Sequence, residues 1–218
     1  MIGFRGVRKT YKMSGVRKVI LDGLSLDLPG DKNIAILGQN GAGKSTLMRL
    51  IAGAELPDAG RIMRYAKVSW PLGFGGGFNG TMSGVENARF VARMYGEDPD
   101  EVISYVEEFS ELGPSMRLPI KTYSSGMRAR LAFGVSMAIE FKYYLIDEIT
   151  AVGDARFKKK CNEVFEEKLK DSNILMISHS NEMLRRYCQS GCVLHQGHLY
   201  YYEDISDAID MHNHLQNQ

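Results

Sequence analysis

Residues Gly38-Gln39-Asn40-Gly41-Ala42-Gly43-Lys44-Ser45 set glycines at fixed spacing ahead of a lysine and a hydroxyl. The spacing is G-x-x-x-x-G-K-[ST], and its chemistry is the holding of a phosphate chain. Glycines let the backbone curl so that successive N–H groups face the phosphates at the positive end of a helix. Lys44 then neutralises the β and γ groups, and Ser45 can hold Mg²⁺. The site expected from this stretch comprises Gly38, Asn40, Gly41, Ala42, Gly43, Lys44, Ser45 and Thr46. At average residue usage such a match arises by chance in about one per cent of chains of this length. The flanks add to it: Ile34-Ala35-Ile36-Leu37 reads as a buried strand, and Lys44 to Ala52 as a helix closed at Gly53, so the loop lies where the mechanism needs it.

A phosphate loop needs a metal-binding acid on a neighbouring strand. Tyr143-Tyr144-Leu145-Ile146 is a short apolar run ending in Asp147-Glu148. Adjacent carboxylates at a strand end repel each other unless a cation or a water-polarising task keeps both there. That fits Asp147 in a Mg²⁺ shell and Glu148 as general base toward an attacking water. The plainer alternative is an acidic surface turn. Ile174-Leu175-Met176-Ile177 has the same form and ends in Ser178-His179, and open α/β sheets bind ligands at the carboxyl ends of their strands. Ser124-Ser125-Gly126 precede the pattern Met127 to Phe133 and sit at a helix start. Serine there is a cap, or a second anion site on the helix dipole, and spacing leaves both open.

The elements that must position these groups alternate between β-branched apolar runs and helical patterns, which indicates an α/β domain with a mostly parallel sheet. Ile2 to Val7 and Val19 to Leu28 read as an N-terminal antiparallel β element turning around Ser14-Gly15. Val85 to Tyr95 and Glu101 to Leu112, broken by Gly96 and Pro99, read as an inserted helical subdomain, and Asp204 to Leu215 as a last amphipathic helix. The expected organisation is one domain over 1–218, with a core of about 1–83 and 143–218 and a helical subdomain of about 84–142.

Composition narrows the partners. In 218 residues, 44% are hydrophobic and 24% charged, which is ordinary for a globular chain and excludes disorder. A net charge of +1 leaves no positive field for nucleic acid. Lys158-Lys159-Lys160 reads as a solvated helix face. Cys161, Cys188 and Cys192 show no CxxC spacing and suggest a reducing compartment, and a metal site on Cys188, Cys192 and His195 lacks a fourth ligand. The uncharged stretch Val68 to Val85 is long enough to span a bilayer, but Pro71 and its glycines refuse that reading. It is expected to be an irregular loop with an apolar surface, whose Trp70, Phe74 and Phe78 either dock a short helix of a partner or are buried internally when the chain folds.

The order of the phosphate loop, helical insert, Ser124-Ser125-Gly126, Leu145-Ile146-Asp147-Glu148, Ala151-Val152-Gly153-Asp154 and Ser178-His179-Ser180 resembles the nucleotide-binding subunits of ATP-binding cassette (ABC) transporters over essentially the whole chain. The resemblance implies a P-loop NTPase core. It makes Tyr11 the aromatic that stacks on adenine, Tyr123 to Met127 the signature loop, Asp154 a dimer-contacting aspartate and His179 the switch histidine. Within the family the chain is most similar to the ATP-binding subunits of bacterial capsular polysaccharide exporters of the KpsT type. That similarity rests on Trp70 to Phe78, the signature variant, and Ile146-Asp147-Glu148 running into Ala151 to Phe157.

This resemblance implies ATP and Mg²⁺ as cofactors and a homodimer whose two copies share each ATP, Lys44 and Ser45 of one facing Ser124 and Gly126 of the other. It also implies a polytopic permease docking near Val68–Val85, periplasmic and outer-membrane export partners, no nucleic acid, and a place on the cytoplasmic face of the bacterial inner membrane. The alternatives are export of O-antigen or teichoic-acid type glycans, or a soluble cassette with no membrane partner. The chain is expected to carry no additional C-terminal glycan-binding domain. Two features depart from the family pattern: no glutamine lies between Gln39 and Gln189, where the family usually has one, and the signature has Ser125 for glycine and Met127 for glutamine.

Overall fold

The computed structural model describes residues 1–13, 15–72, 77–147 and 155–216. The strands are β1 (Ile2–Met13), β2 (Val16–Leu28), β3 (Ile34–Leu37), β4 (Ala59–Arg64), β5 (Val68–Leu72), β6 (Tyr143–Asp147), β7 (Asn173–Ile177), β8 (Ser190–His195) and β9 (His198–Tyr202). The helices are α1 (Lys44–Ala52), α2 (Gly84–Tyr95), α3 (Pro99–Ser110), α4 (Ser125–Ala138), α5 (Ala155–Lys168), α6 (Asn181–Tyr187) and α7 (Ile205–Gln216). They fall into two compact units, the first formed by Met1–Pro71, Phe141–Glu148 and Ser172–Gln218, the second by Leu72–Glu140 and Ile149–Asp171.

The first unit is built on two sheets. A three-stranded sheet in the order β2-β1-β4 is antiparallel throughout. A six-stranded sheet runs β5-β6-β7-β3-β8-β9, in which β3 is parallel to β7 and β8, β6 is parallel to β7, and the β8/β9 hairpin is antiparallel. β3 is buried along its whole length, as its uninterrupted apolar run requires of a strand covered on both faces. The expected antiparallel element is present but longer. Its outer residues, Lys9 to Met13 against Val16 to Leu21, are polar enough to hide the strand period, and register shifts around Val7 and Lys9 break it further.

One expectation is overturned in this unit. Val68 to Leu72 is not irregular loop but an edge strand beside β6. Ser69 is fully buried, and its hydroxyl accepts from the N–H of Leu145 at 2.9 Å and donates to the carbonyl of Trp70 at 2.7 Å. The half-buried Trp70 ring meets Phe141 edge-on at 5.4 Å. Pro71 is tolerated because an edge strand has no neighbour on one side to receive its missing N–H. Phe74 lies outside the described residues.

The second unit is helical. Ser83 and Glu86 form a reciprocal capping box at the start of α2, Gly96 closes it, and Asp98 with Pro99 opens α3. Phe109 stacks on Phe133 at 5.7 Å and meets Phe157 edge-on at 5.5 Å, which ties α3, α4 and α5 together. This corrects two expectations. Helix α5 belongs with the helical unit rather than with the core, so that unit reaches beyond 84–142, because Phe157 and Cys161 bury against Phe109. Lys160 is also no solvated face: its ammonium donates to the carbonyl of Phe109 and to Glu111, both at 3.0 Å. Lys158 and Lys159 are exposed as expected.

The three cysteines are buried thiols. Burial pushes Cys188 and Cys192 up to about 12, which keeps them protonated. Among the described residues no cluster of His, Cys, Asp and Glu could hold a metal by itself, and no helix is long and apolar enough to cross a membrane.

Candidate nucleotide site

The loop between β3 and α1 turns on glycines. Gly38 has φ 151°, and a Cβ there would stand 2.6 Å from the carbonyl oxygen of Leu194. Gly43 caps α1 with φ 112°, and a side chain there would collide with Ile20. Ala42 donates its N–H to Gln39 at 3.0 Å, which closes the curl. The first turn of α1 has no acidic residue, so nothing opposes an anion at its positive end, and Arg49 complements the dipole in the last turn. Lys44 Nζ donates to the carbonyl of Gly38 at 2.6 Å and to that of Gln39 at 3.2 Å.

Around this loop lies a cavity of about 390 Å³. Asn40, Gly41, Gly43, Lys44, Ser45 and Thr46 line one side. Parallel pairing places the carboxyl ends of β6 and β7 beside that of β3, so Asp147 and His179 line another side of the same cavity. Tyr11, near the far end of β1, lines it as well. Sequence reasoning therefore named residues that the fold gathers from four separate parts of the chain. It missed Lys18 and Ile20 of β2, which also line the cavity because Tyr11 pairs with Lys18. Ala42 turns instead toward the hydrophobic core.

Tyr11 is held by its hydroxyl, which donates to Glu55. Glu55 also accepts from Arg49 Nε at 3.1 Å and pairs with Lys9 at 2.9 Å, while Arg49 Nη2 donates to Thr46 Oγ1 at 3.1 Å. Burial works to raise the Glu55 pKa, but the hydrogen bonds from Tyr11, Lys9 and Arg49 outweigh it and hold the carboxyl down at about 2.

A smaller cavity of about 110 Å³ is lined by Gly38, Lys44, Ser178, His179 and, from α7, His212 and Asn213. Nδ1 of His212 is buried and has no hydrogen-bond partner among the described residues. Its burial, with the charges of Lys44 and His179, pushes His212 below the usual histidine value. Nothing in the sequence period of α7 marks this histidine, because only the docking of the helix beside the loop gives it a role. Gln39 Nε2 makes the same connection, donating to the carbonyl of Leu215 at 3.0 Å.

In the helical unit Ser124 is an N-cap: its hydroxyl accepts from the N–H of Met127 at 3.2 Å, and Ser124 and Ser125 are exposed. Arg128 braces the turn by donating to the carbonyl of Tyr123 at 2.9 Å. Glu148 and Asp154 lie outside the described residues.

A mostly parallel sheet whose phosphate loop, strand-end acid and strand-end histidine share one cavity defines a P-loop ATPase. The ABC transporter family model matches residues 21–151, more than half of the chain, and the chain belongs to that family. It is 49% identical over 212 residues to the polysialic acid transport ATP-binding protein KpsT of Escherichia coli, covering 96% of this chain and 97% of that one. It is 47% identical to the capsule polysaccharide export ATP-binding protein CtrD of Neisseria meningitidis serogroup B, covering 99% of this chain and all of the relative. The fold matches a dimeric structure of the ATP-binding cassette MJ0796 in a post-hydrolysis state bound to ADP and Pi, with a TM-score of 0.73 at 17% identity over 94% of this chain and 99% of that one.

Proposed function

We propose that this chain is the ATP-hydrolysing subunit of a bacterial exporter that moves capsular, lipid-linked polysaccharide across the inner membrane. The observation that carries the ATPase reading is the shared cavity of Tyr11, Lys44, Ser45, Asp147 and His179. The substrate class rests on the near full-length similarity to capsule and polysialic acid transport proteins.

In this mechanism Lys44 and the N-terminus of α1 take the phosphate chain, and Tyr11 takes the adenine. The Ser45 hydroxyl and the Asp147 carboxylate are hard oxygen donors of the kind Mg²⁺ accepts, and they line the cavity together. Bound there, the ion neutralises charge on the phosphates. Glu148 removes a proton from the attacking water, and His179 holds the γ-phosphate oxygen as it separates. Ser124, Ser125, Gly126 and Asp154 of a second copy close over the same ATP, so the γ-phosphate holds two copies together and its loss lets them part.

The membrane-spanning partner docks near Val68–Val85. Phe90 and Met94, one turn apart on α2 and 54% and 58% exposed, are apolar groups that follow this stretch in sequence. The cassette pair thus sits on the cytoplasmic face of the inner membrane, and periplasmic and outer-membrane partners continue the route. Co-purification from detergent-solubilised membranes tests the reading. A polytopic protein at near equal stoichiometry, with ATP turnover lost in Glu148→Gln, is expected; a partnerless soluble dimer with full turnover would refute it.

A further inference from the structure

The hydroxyl of Tyr11 has no direct part in stacking on a base, yet it is bonded into a polar cluster of Glu55, Lys9 and Arg49. Glu55 receives Tyr11, Arg49 and Lys9 at once, and its side chain is only 20% exposed. Lys9 is a lysine held 8% exposed, a rare condition that its bonds to Glu55, to Asp58 and to the carbonyl of Leu56 at 2.9 Å make possible. Its ammonium stands 5.4 Å from the centre of the Tyr11 ring. Tyr11 also lines the cavity, so the same side chain joins this cluster to the site. Arg49 completes the cluster by joining Glu55 to Thr46, the residue after Ser45 in the phosphate loop.

We infer that Glu55 is a positioning residue for the nucleotide base: with Lys9 and Arg49 it clamps Tyr11 in the orientation that accepts adenine and joins the base side of the site to Thr46. This rests on the reading of Tyr11 as the stacking residue. A free tyrosine on a strand end would lose side-chain freedom on each binding event, and a clamped one has lost it in advance.

The test compares binding of ATP with binding of inorganic tripolyphosphate, which has the phosphates and no base, to the full-length chain by titration calorimetry. Glu55→Gln is expected to weaken ATP about tenfold, the size of one hydrogen bond, and to leave tripolyphosphate unchanged. Tyr11→Phe, which keeps the ring and removes the hydroxyl alone, is expected to match it, and Tyr11→Phe with Glu55→Gln is expected to add nothing further. ATP binding at the wild-type level in both single variants overturns the clamp, as does an equal loss of ATP and tripolyphosphate, which would make Glu55 a support of the phosphate loop through Arg49. Tyr11→Ala separates the two claims. Weakened ATP binding there with intact binding in Glu55→Gln leaves stacking standing and removes the clamp, whereas unchanged ATP binding in Tyr11→Ala removes both.

Discussion

The ammonium of Lys44 donates to the carbonyl of Gly38 at 2.6 Å, so the cation proposed to meet the phosphates also ties the end of its loop to the beginning. Lys44→Met therefore removes a charge and a brace together. ATP and inorganic tripolyphosphate are expected to weaken alike, by about 10- to 100-fold, since a hydrogen bond to a charged group contributes about 1.5–3 kcal/mol. Calorimetric titration of both ligands checks this, and a loss confined to ATP would contradict it.

Tyr11 predicts the opposite selectivity. Tyr11→Ala is expected to weaken ATP by about 1–3 kcal/mol, the size of base–aromatic stacking, and to spare tripolyphosphate. Equal ATP affinities for the variant and the natural chain would make Tyr11 a structural strand residue.

Gly43 combines a left-handed backbone with contact to Ile20. Gly43→Ala is expected to cost about 1–3 kcal/mol in stability and to abolish nucleotide binding. Adding Ile20→Ala relieves the collision but not the backbone strain, so it is expected to recover part of the melting temperature. Full recovery would show that the conformation of Gly43 carries no strain.

His212 makes a pH prediction. Its folded-state pKa lies below the ordinary value of 6.5 because of its burial and the nearby Lys44 and His179. The unfolded chain therefore takes up this proton first, and stability falls as the pH drops from 7 through 6.5 toward the folded value. His212→Asn removes that term, and denaturant unfolding at stepped pH is expected to show a shallower dependence over this window. An unchanged slope would place the titrating group elsewhere.

The parts of the site that are local in sequence were legible in it. The phosphate loop, α1 and its stop at Gly53 follow from glycines, a helix pattern and a cap within 16 residues, and the helix is found at Lys44–Ala52. Asp147 and His179 were legible because each ends a short apolar run, and parallel strands align their ends. The strand at Val68–Leu72 was not legible, since its glycine-rich continuation and Pro71 read as loop and its stability comes from Ser69 bonding to Leu145, a residue 76 positions away. Helix α5 was visible as a helix, but its charge-rich sequence gives no sign that Phe157 belongs against Phe109. Glu55 and His212 carry no motif at all, and only tertiary packing joins Glu55 to Tyr11 and sets His212 in the wall of the smaller cavity.

Turnover in the Glu148→Gln variant tests the central claim most directly. Single-turnover hydrolysis by the chain, with ATP binding measured in parallel, is expected to show binding unchanged and hydrolysis slowed about 10²–10⁴-fold, the usual contribution of a general base. Hydrolysis at the natural rate with binding intact would contradict the account, because the water would then be activated by some other group.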